Sequence, residues 1–248
     1  MGEQLMLGQV SIKEGTPRRC VSLSGATTAA IAAELKLFKQ KKAFVDVLEW
    51  RVDCFVEWSN EPLRQEVLTI IKAAIGTTPL IFTCRTRAEG GQATLSTVTY
   101  EELLQWASAT GSFAAIDIEL ALLPQLAPGL CSRIRQQGTK VIVSHHNFER
   151  TPPVQTMVNL LEAGADAEAD ITKLAVMPHS KLDVLRLIEA SQRYACQRVP
   201  VITISMGALG QVSRLIGSFS GSVMTFGALE ATSAPGQLEI EQLARQMY

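Results

Sequence analysis

Ala169-Asp170-Ile171-Thr172-Lys173-Leu174-Ala175-Val176 is a short run of strand-forming residues around a single cation. Its length and β-branched content read as one strand. A lysine in the middle of a buried strand is costly unless it is paired or deprotonated. A neutral amine is a nucleophile toward carbonyls, so Schiff-base chemistry is the first hypothesis for Lys173. The plainer reading is a lysine that snorkels from a strand end. The rest of the chain decides between the two.

Working outward, seven more runs of the same kind appear, and the full set is 19–23, 45–50, 79–84, 114–119, 140–144, 171–176, 201–205 and 223–226. Amphipathic stretches lie between them, at 27–40, 60–75, 154–163, 180–193, 211–216 and 239–247. Another begins at Thr99, where Thr99 and Glu102 have the spacing of a capping box. Strand and helix alternating eight times over about 250 residues predict an α/β chain folded as one (β/α)8 TIM barrel over residues 1–248. A doubly wound open sheet is the competing architecture. No GxGxxG follows the first strand, which weakens its dinucleotide-binding version. Residues 5–12 read as an extra hairpin that closes the barrel bottom.

Composition narrows the function classes. The 248 residues are 47% hydrophobic and 19% charged, with a net charge of −1 and no basic run, which argues against a nucleic-acid groove or an anionic membrane surface. The first nine residues lack an apolar core of signal-peptide length, and no stretch of about 18 apolar residues could span a bilayer. Cys20, Cys54, Cys84, Cys131 and Cys196 are scattered, with no CxxC pair, and read as reduced thiols of a cytoplasmic protein. The three histidines form no metal-ligand spacing with them.

In a barrel of this type chemistry sits at the C-terminal ends of the strands. Those ends carry Glu49-Trp50-Arg51-Val52-Asp53, then Thr83-Cys84-Arg85 with Glu89-Gly90-Gly91, then Asp117-Ile118-Glu119. They continue with Ser144-His145-His146-Asn147, Lys173, Ser205-Met206 followed by Ser213-Arg214, and Ser233-Ala234-Pro235-Gly236-Gln237. Strand alternation sets Glu49 and Arg51 on one face and Trp50 on the other. A salt-bridge layer plugging the barrel top would explain some of these charges. A polar cradle for a hydroxylated anion explains their presence at nearly every strand end. Arginine forks suit carboxylates and vicinal hydroxyls. His145 and His146 are adjacent and point in opposite directions, so at most one faces the lysine. A histidine beside a Schiff-base lysine, with Glu89 to orient it, is a candidate acid/base.

Taken in order along nearly the whole chain, from about Cys20 to Leu238, these motifs resemble type I 3-dehydroquinate dehydratase, the Schiff-base dehydratase of the shikimate pathway. The resemblance implies a lyase that converts 3-dehydroquinate to 3-dehydroshikimate and water. It implies Lys173 as the imine-forming residue, His146 as acid/base and Glu89 as its orienter. It also implies a substrate-binding set of Ser22, Glu49, Trp50, Arg51, Arg85, Arg214, Ser233 and Gln237. In this reading Arg214 holds the carboxylate, Glu49, Arg51 and Arg85 address ring hydroxyls, and Ala234-Pro235-Gly236 resembles a lid hinge. No metal or organic cofactor is implied, and a homodimer is. Two departures stand out. The family's usual aspartate after the catalytic histidine is Asn147 here, which could alter the histidine pKa. The residue before that histidine, often asparagine, is His145, and the register Ser-x-His-x-Phe selects His146. Another Schiff-base barrel lyase of the class I aldolase type would share Lys173 but has less use for the arginines and Gln237. A silent barrel that binds a sugar acid would not need lysine, histidine and glutamate together.

Overall fold

Strands whose side chains alternate between two buried faces need cover on both sides, and parallel strands find it when they close into a barrel wrapped by helices. The computed structural model of the chain has this form. It describes residues 5–195, 198–230 and 234–247. The strands are β1 (Met6–Leu7), β2 (Val10–Ser11), β3 (Arg18–Leu23), β4 (Val47–Arg51) and β5 (Leu80–Thr83), followed by β6 (Ala115–Glu119), β7 (Lys140–Asn147), β8 (Ile171–Val176), β9 (Val201–Ser205) and β10 (Met224–Gly227). β1 and β2 form a small antiparallel hairpin. The other eight run parallel in the order β10-β3-β4-β5-β6-β7-β8-β9. The seam between β9 and β10 is bridged where Val223 N–H donates to Val201 O at 2.8 Å.

The helices are α1 (Thr28–Lys41), α2 (Glu61–Ile75), α3 (Thr97–Ala109), α4 (Leu130–Gln136), α5 (Val154–Asp166), α6 (Lys181–Tyr194), α7 (Gln211–Leu215), α8 (Gly217–Ser220) and α9 (Ile240–Gln246). Side-chain caps fix several of their starts. Thr27 accepts from Ala30 N–H, Asn60 from Leu63 N–H, and Ser180 with Asp183 forms a reciprocal capping box. The expected box at Thr99 and Glu102 is replaced by an earlier cap. Ser96 Oγ accepts from Thr99 N–H at 3.1 Å, and the helix begins at Thr97. α4 has no counterpart in the sequence reading. It is short, no side chain caps it, and its N-terminal neighbour Gly129 is left-handed at φ 73°, so the segment reads as a turn.

Two apolar layers result. Cys20, Val47, Ile81, Ala115, Ile142 and Ile171 fill the lower barrel, and Leu7 and Ile12 of the hairpin pack beneath them. The opposite parity of each strand points outward. Leu48, Trp50, Phe82, Ile116 and Ile118 meet the helices there. Where α5 crosses β8, a Cβ on Gly164 would come within 2.8 Å of Thr172 Cγ2, so a larger side chain would push that helix off the barrel.

Candidate active site

Two residues further along each strand, on the same inward parity, the barrel interior changes from apolar to polar. Cys20 is followed by Ser22, Val47 by Glu49, Ile81 by Thr83, Ala115 by Asp117, Ile142 by Ser144 and Ile171 by Lys173. This polar layer floors a cavity of about 680 Å³, including the part open to solvent, at the C-terminal ends of the strands.

Lys173 is 7% exposed, and its Nζ lies 3.1 Å from Asp117 Oδ2 and 3.8 Å from Glu49 Oε1. It stands 4.6 Å from the centroid of the Phe226 ring. Glu49 accepts from the Ser22 hydroxyl through Oε2 and from Thr83 Oγ1 through Oε1. Asp117 also accepts from Ser144 Oγ at 2.6 Å and from Arg85 Nη2 at 2.7 Å. Burial alone would keep Asp117 protonated. Arg85, Lys173 and the Ser144 hydroxyl outweigh it and hold the carboxyl well below the usual range.

Arg85 is the hub of this layer. It is 3% exposed, and its Nη1 donates to Glu119 Oε1 at 3.1 Å and Ser144 Oγ at 3.0 Å and approaches Glu89 Oε2 at 3.5 Å. Its Nη donors therefore face protein carboxylates rather than standing free for ring hydroxyls. Arg51 is similarly engaged by a two-pronged pair with Asp53, both contacts 2.8 Å.

β7 runs three residues past the sequence expectation because His145, His146 and Asn147 pair with Leu174, Ala175 and Val176 of β8. Their polar side chains do not announce a strand, but the ladder recruits them. The extension keeps His146 on the parity of Ser144, and its ring lines the cavity. Nδ1 of His146 meets Glu89 Oε2 at 2.8 Å, and the backbone N–H of His146 donates to the same oxygen at 3.1 Å. Burial and the Arg85 charge pull the His146 pKa down to about 4 against the pull of Glu89. The ring is neutral near pH 7, so Nδ1 carries the proton toward Glu89 and Nε2 keeps a lone pair. Burial pushes Glu89 up, but the two histidines and Arg85 bring it to about 2. Glu89 ends a 3-10 turn, and Gly90 follows at φ 80°. The Phe148 ring lies over Gly90 so closely that a Cβ there would come within 2.3 Å of it.

Arg214 closes the opposite wall. Ser213 Oγ accepts from Ser205 N–H at 2.9 Å and donates to Gly210 O at 2.8 Å, which pins α7 to the end of β9. Arg214 Nη1 and Nη2 then donate to Phe226 O at 3.2 Å and Pro235 O at 3.0 Å. The guanidinium is 2% exposed, and burial lowers its pKa to about 10. Among the described residues no carboxylate lies within salt-bridge distance of it and its Nε has no hydrogen-bond partner. A buried cation held by neutral carbonyls keeps donor capacity and charge that an anion can use.

The cavity thus brings together Ser22, Glu49, Arg51, Arg85 and Glu89, and on the facing side His146, Lys173, Arg214 and Gln237. Trp50 is a correction. It is fully buried on the outward parity of β4, with its ring 6.4 Å from both Phe82 and Phe113, and it lines no part of the cavity. Ser233 lies outside the described residues, as does Cys196. Cys20, Cys84 and Cys131 are buried and Cys54 is half-buried, all four free. Asn147 Oδ1 accepts from the N–H groups of Glu149 and Arg150, so it shapes the loop after β7. Asp117, Thr83, Ser144 and Asp53 received no role from the sequence. The available signal was parity, because the first three share the inward face with Glu49 and Lys173. No group of three or more His, Cys, Asp or Glu among the described residues is arranged to hold a metal ion. No helix among them is long and apolar enough to cross a membrane.

The chain was compared with known proteins. The family model described as type I 3-dehydroquinase matches residues 19–248. The 3-dehydroquinate dehydratase of Clostridioides difficile is 36% identical over 98% of this chain and 95% of its own length. That of Bacillus licheniformis is 38% identical over 96% and 94%. Among solved structures, the type I enzyme of Clostridium difficile with covalently modified comenic acid superposes with a TM-score of 0.91 at 36% identity, covering 98% of this chain and 95% of that one. The 3-dehydroquinate dehydratase of Geobacillus kaustophilus gives 0.93 at 29% identity, covering 98% and 94%.

Proposed function

The chain belongs to the type I 3-dehydroquinase family, and on that premise we propose that its barrel mouth dehydrates 3-dehydroquinate to 3-dehydroshikimate through an imine on Lys173. The carrying observation is the pairing of an inward-facing lysine with a neutral histidine on the adjacent strand, inside one polar layer.

Lys173 Nζ attacks the ketone carbon, and the carbonyl oxygen leaves as water. The protonated imine is an electron sink that acidifies the neighbouring C–H. His146 takes that proton on Nε2, becomes an imidazolium and is stabilised by Glu89 through Nδ1. The resulting enamine expels the tertiary hydroxyl, which receives the proton back from His146 and departs as water. Hydrolysis of the imine then returns the lysine and releases the product. Arg214 receives the substrate carboxylate, and Glu49 and Arg51 flank the ring hydroxyls with Ser22 and Gln237. Arg85 serves mainly to hold Asp117 and Glu89 ionised and in place. The reading needs no metal or organic cofactor, because the imine does the electrophilic work.

We read residues 1–248 as one catalytic barrel acting on a small molecule in the cytoplasm, with no nucleic-acid or membrane partner. A homodimer is part of the same reading. The near-neutral charge balance supports the absence of a nucleic-acid or anionic-membrane partner.

The test is an ultraviolet assay for the conjugated enone product, joined to borohydride trapping. Protein incubated with 3-dehydroquinate and borohydride should carry one ligand-sized mass on the Lys173 peptide. His146→Ala should still be trapped while turnover falls about 10²- to 10⁴-fold. An adduct on another lysine, or full activity in Lys173→Ala, would sink the proposal.

A further inference from the structure

Glu89 uses its two carboxylate oxygens unequally. Oε2 takes the backbone N–H of His146, its ring Nδ1 and the approach of Arg85 Nη1. Oε1 is buried and, among the described residues, accepts no hydrogen bond. Nδ1 of His145 lies 3.4 Å from it, beyond a well-formed hydrogen bond but within the range of a small ring movement. An ionised oxygen shut away from water without a donor is costly. The side chain of His145 is 26% exposed against 10% for His146, so its ring is the less enclosed of the two.

A carboxylate held at one oxygen can still turn about its last side-chain bond, and each turn carries the His146 ring with it. A donor on each oxygen fixes the plane. The other charges about this group are Arg85, which also holds Asp117 and Glu119, and Lys173 on β8, the strand next to that of His146. None of these donates to Oε1.

We propose that His145 is a positioning residue: its Nδ1–H anchors Glu89 Oε1, which keeps Oε2 on Nδ1 of His146 and aims Nε2 of that ring at the substrate. The proposal rests on the reading of His146 as the acid/base. The competing account is a strand-end side chain with no part in turnover.

Three variants separate them: His145→Leu, which removes the donor, His145→Ala, which removes the ring, and His145→Asn, which keeps an N–H. For Leu and Ala, kcat should fall about tenfold, the scale of one positioned hydrogen bond, with KM and melting temperature held. Nitrogen NMR of the His146 ring should show loss of the single Nδ1–H tautomer. His145→Asn should restore both kcat and the tautomer. Borohydride should still trap substrate on Lys173 in all three. If trapping fails in the unmodified protein, the imine reading has failed rather than this one. An unchanged kcat and tautomer in His145→Leu would overturn the proposal. So would a loss of kcat that tracks melting temperature and that asparagine does not rescue.

Discussion

Lys173 Nζ and Asp117 Oδ2 stand 3.1 Å apart, and the second oxygen of Asp117 lies 2.7 Å from Arg85 Nη2. One buried carboxylate therefore bridges the candidate nucleophile and the guanidinium that also approaches Glu89. Asp117→Asn keeps the volume and removes the charge. Neutralising one member of a buried ionic network costs up to about 3–5 kcal/mol, and urea unfolding should show a loss on that scale. Borohydride trapping on Lys173 should also slow, because Nζ loses the group that fixes its position. Unchanged trapping in a destabilised protein would make Asp117 a purely structural partner of Arg85.

Arg214 carries the substrate-class prediction. Arg214→Ala should weaken 3-dehydroquinate binding by about 2–5 kcal/mol, while Arg214→Lys recovers only part, since an ammonium cannot reproduce the planar fork. The free protein should not melt earlier, because among the described residues the buried guanidinium meets only neutral carbonyls. Calorimetric binding and thermal melting of both variants decide the matter. Intact affinity with a lowered melting temperature would transfer the carboxylate to Arg51.

Acid sensitivity follows from two lowered pKa values. The unfolded chain protonates His146 near its ordinary 6.5, whereas the folded ring resists until about 4. The unfolded state binds more protons in that window, so stability falls as pH drops from 6.5 to 4. Glu89 extends the loss from about 4.5 down to about 2, being ionised in the fold and protonated in the unfolded chain. Melting temperature against pH should flatten between 6.5 and 4 in His146→Gln. The acid limb of kcat/KM should likewise lie below pH 6.5. A limb at 6.5 or above would mean that the free enzyme carries a protonated His146.

Trp50 separates core from cavity. Trp50→Ala removes a ring packed between Phe82 and Phe113 and should cost about 3–5 kcal/mol. KM should hold in whatever fraction stays folded. A selective rise in KM with stability intact would return Trp50 to the substrate wall.

The eightfold alternation was readable because barrel strands are buried on both faces and stand out as apolar runs between amphipathic helices. β8 and β9 match the expected bounds residue for residue. β7 does not, since pairing with β8 rather than local propensity extends it through Asn147. α4 was invisible because a seven-residue helix without a side-chain cap leaves no periodic signal.

Residue chemistry was in the sequence and brought Lys173, Glu89 and one of two adjacent histidines together, while the register of the family resemblance selected His146. Parity also implied that Trp50 faces away from Glu49, and the core packing of its ring agrees. Partnership was not in the sequence. That Arg85 is consumed by Asp117, Glu119 and Ser144, and that Arg214 meets only carbonyls among the described residues, depends on which strand ends become neighbours in the barrel, whereas Arg51 finds Asp53 two residues along its own strand end. Three arginines look alike along a chain. Only closure of the barrel, which sets the distance from each to the carboxylates of other strands, binds Arg85 into the scaffold and leaves Arg214 without a counter-charge among the described residues.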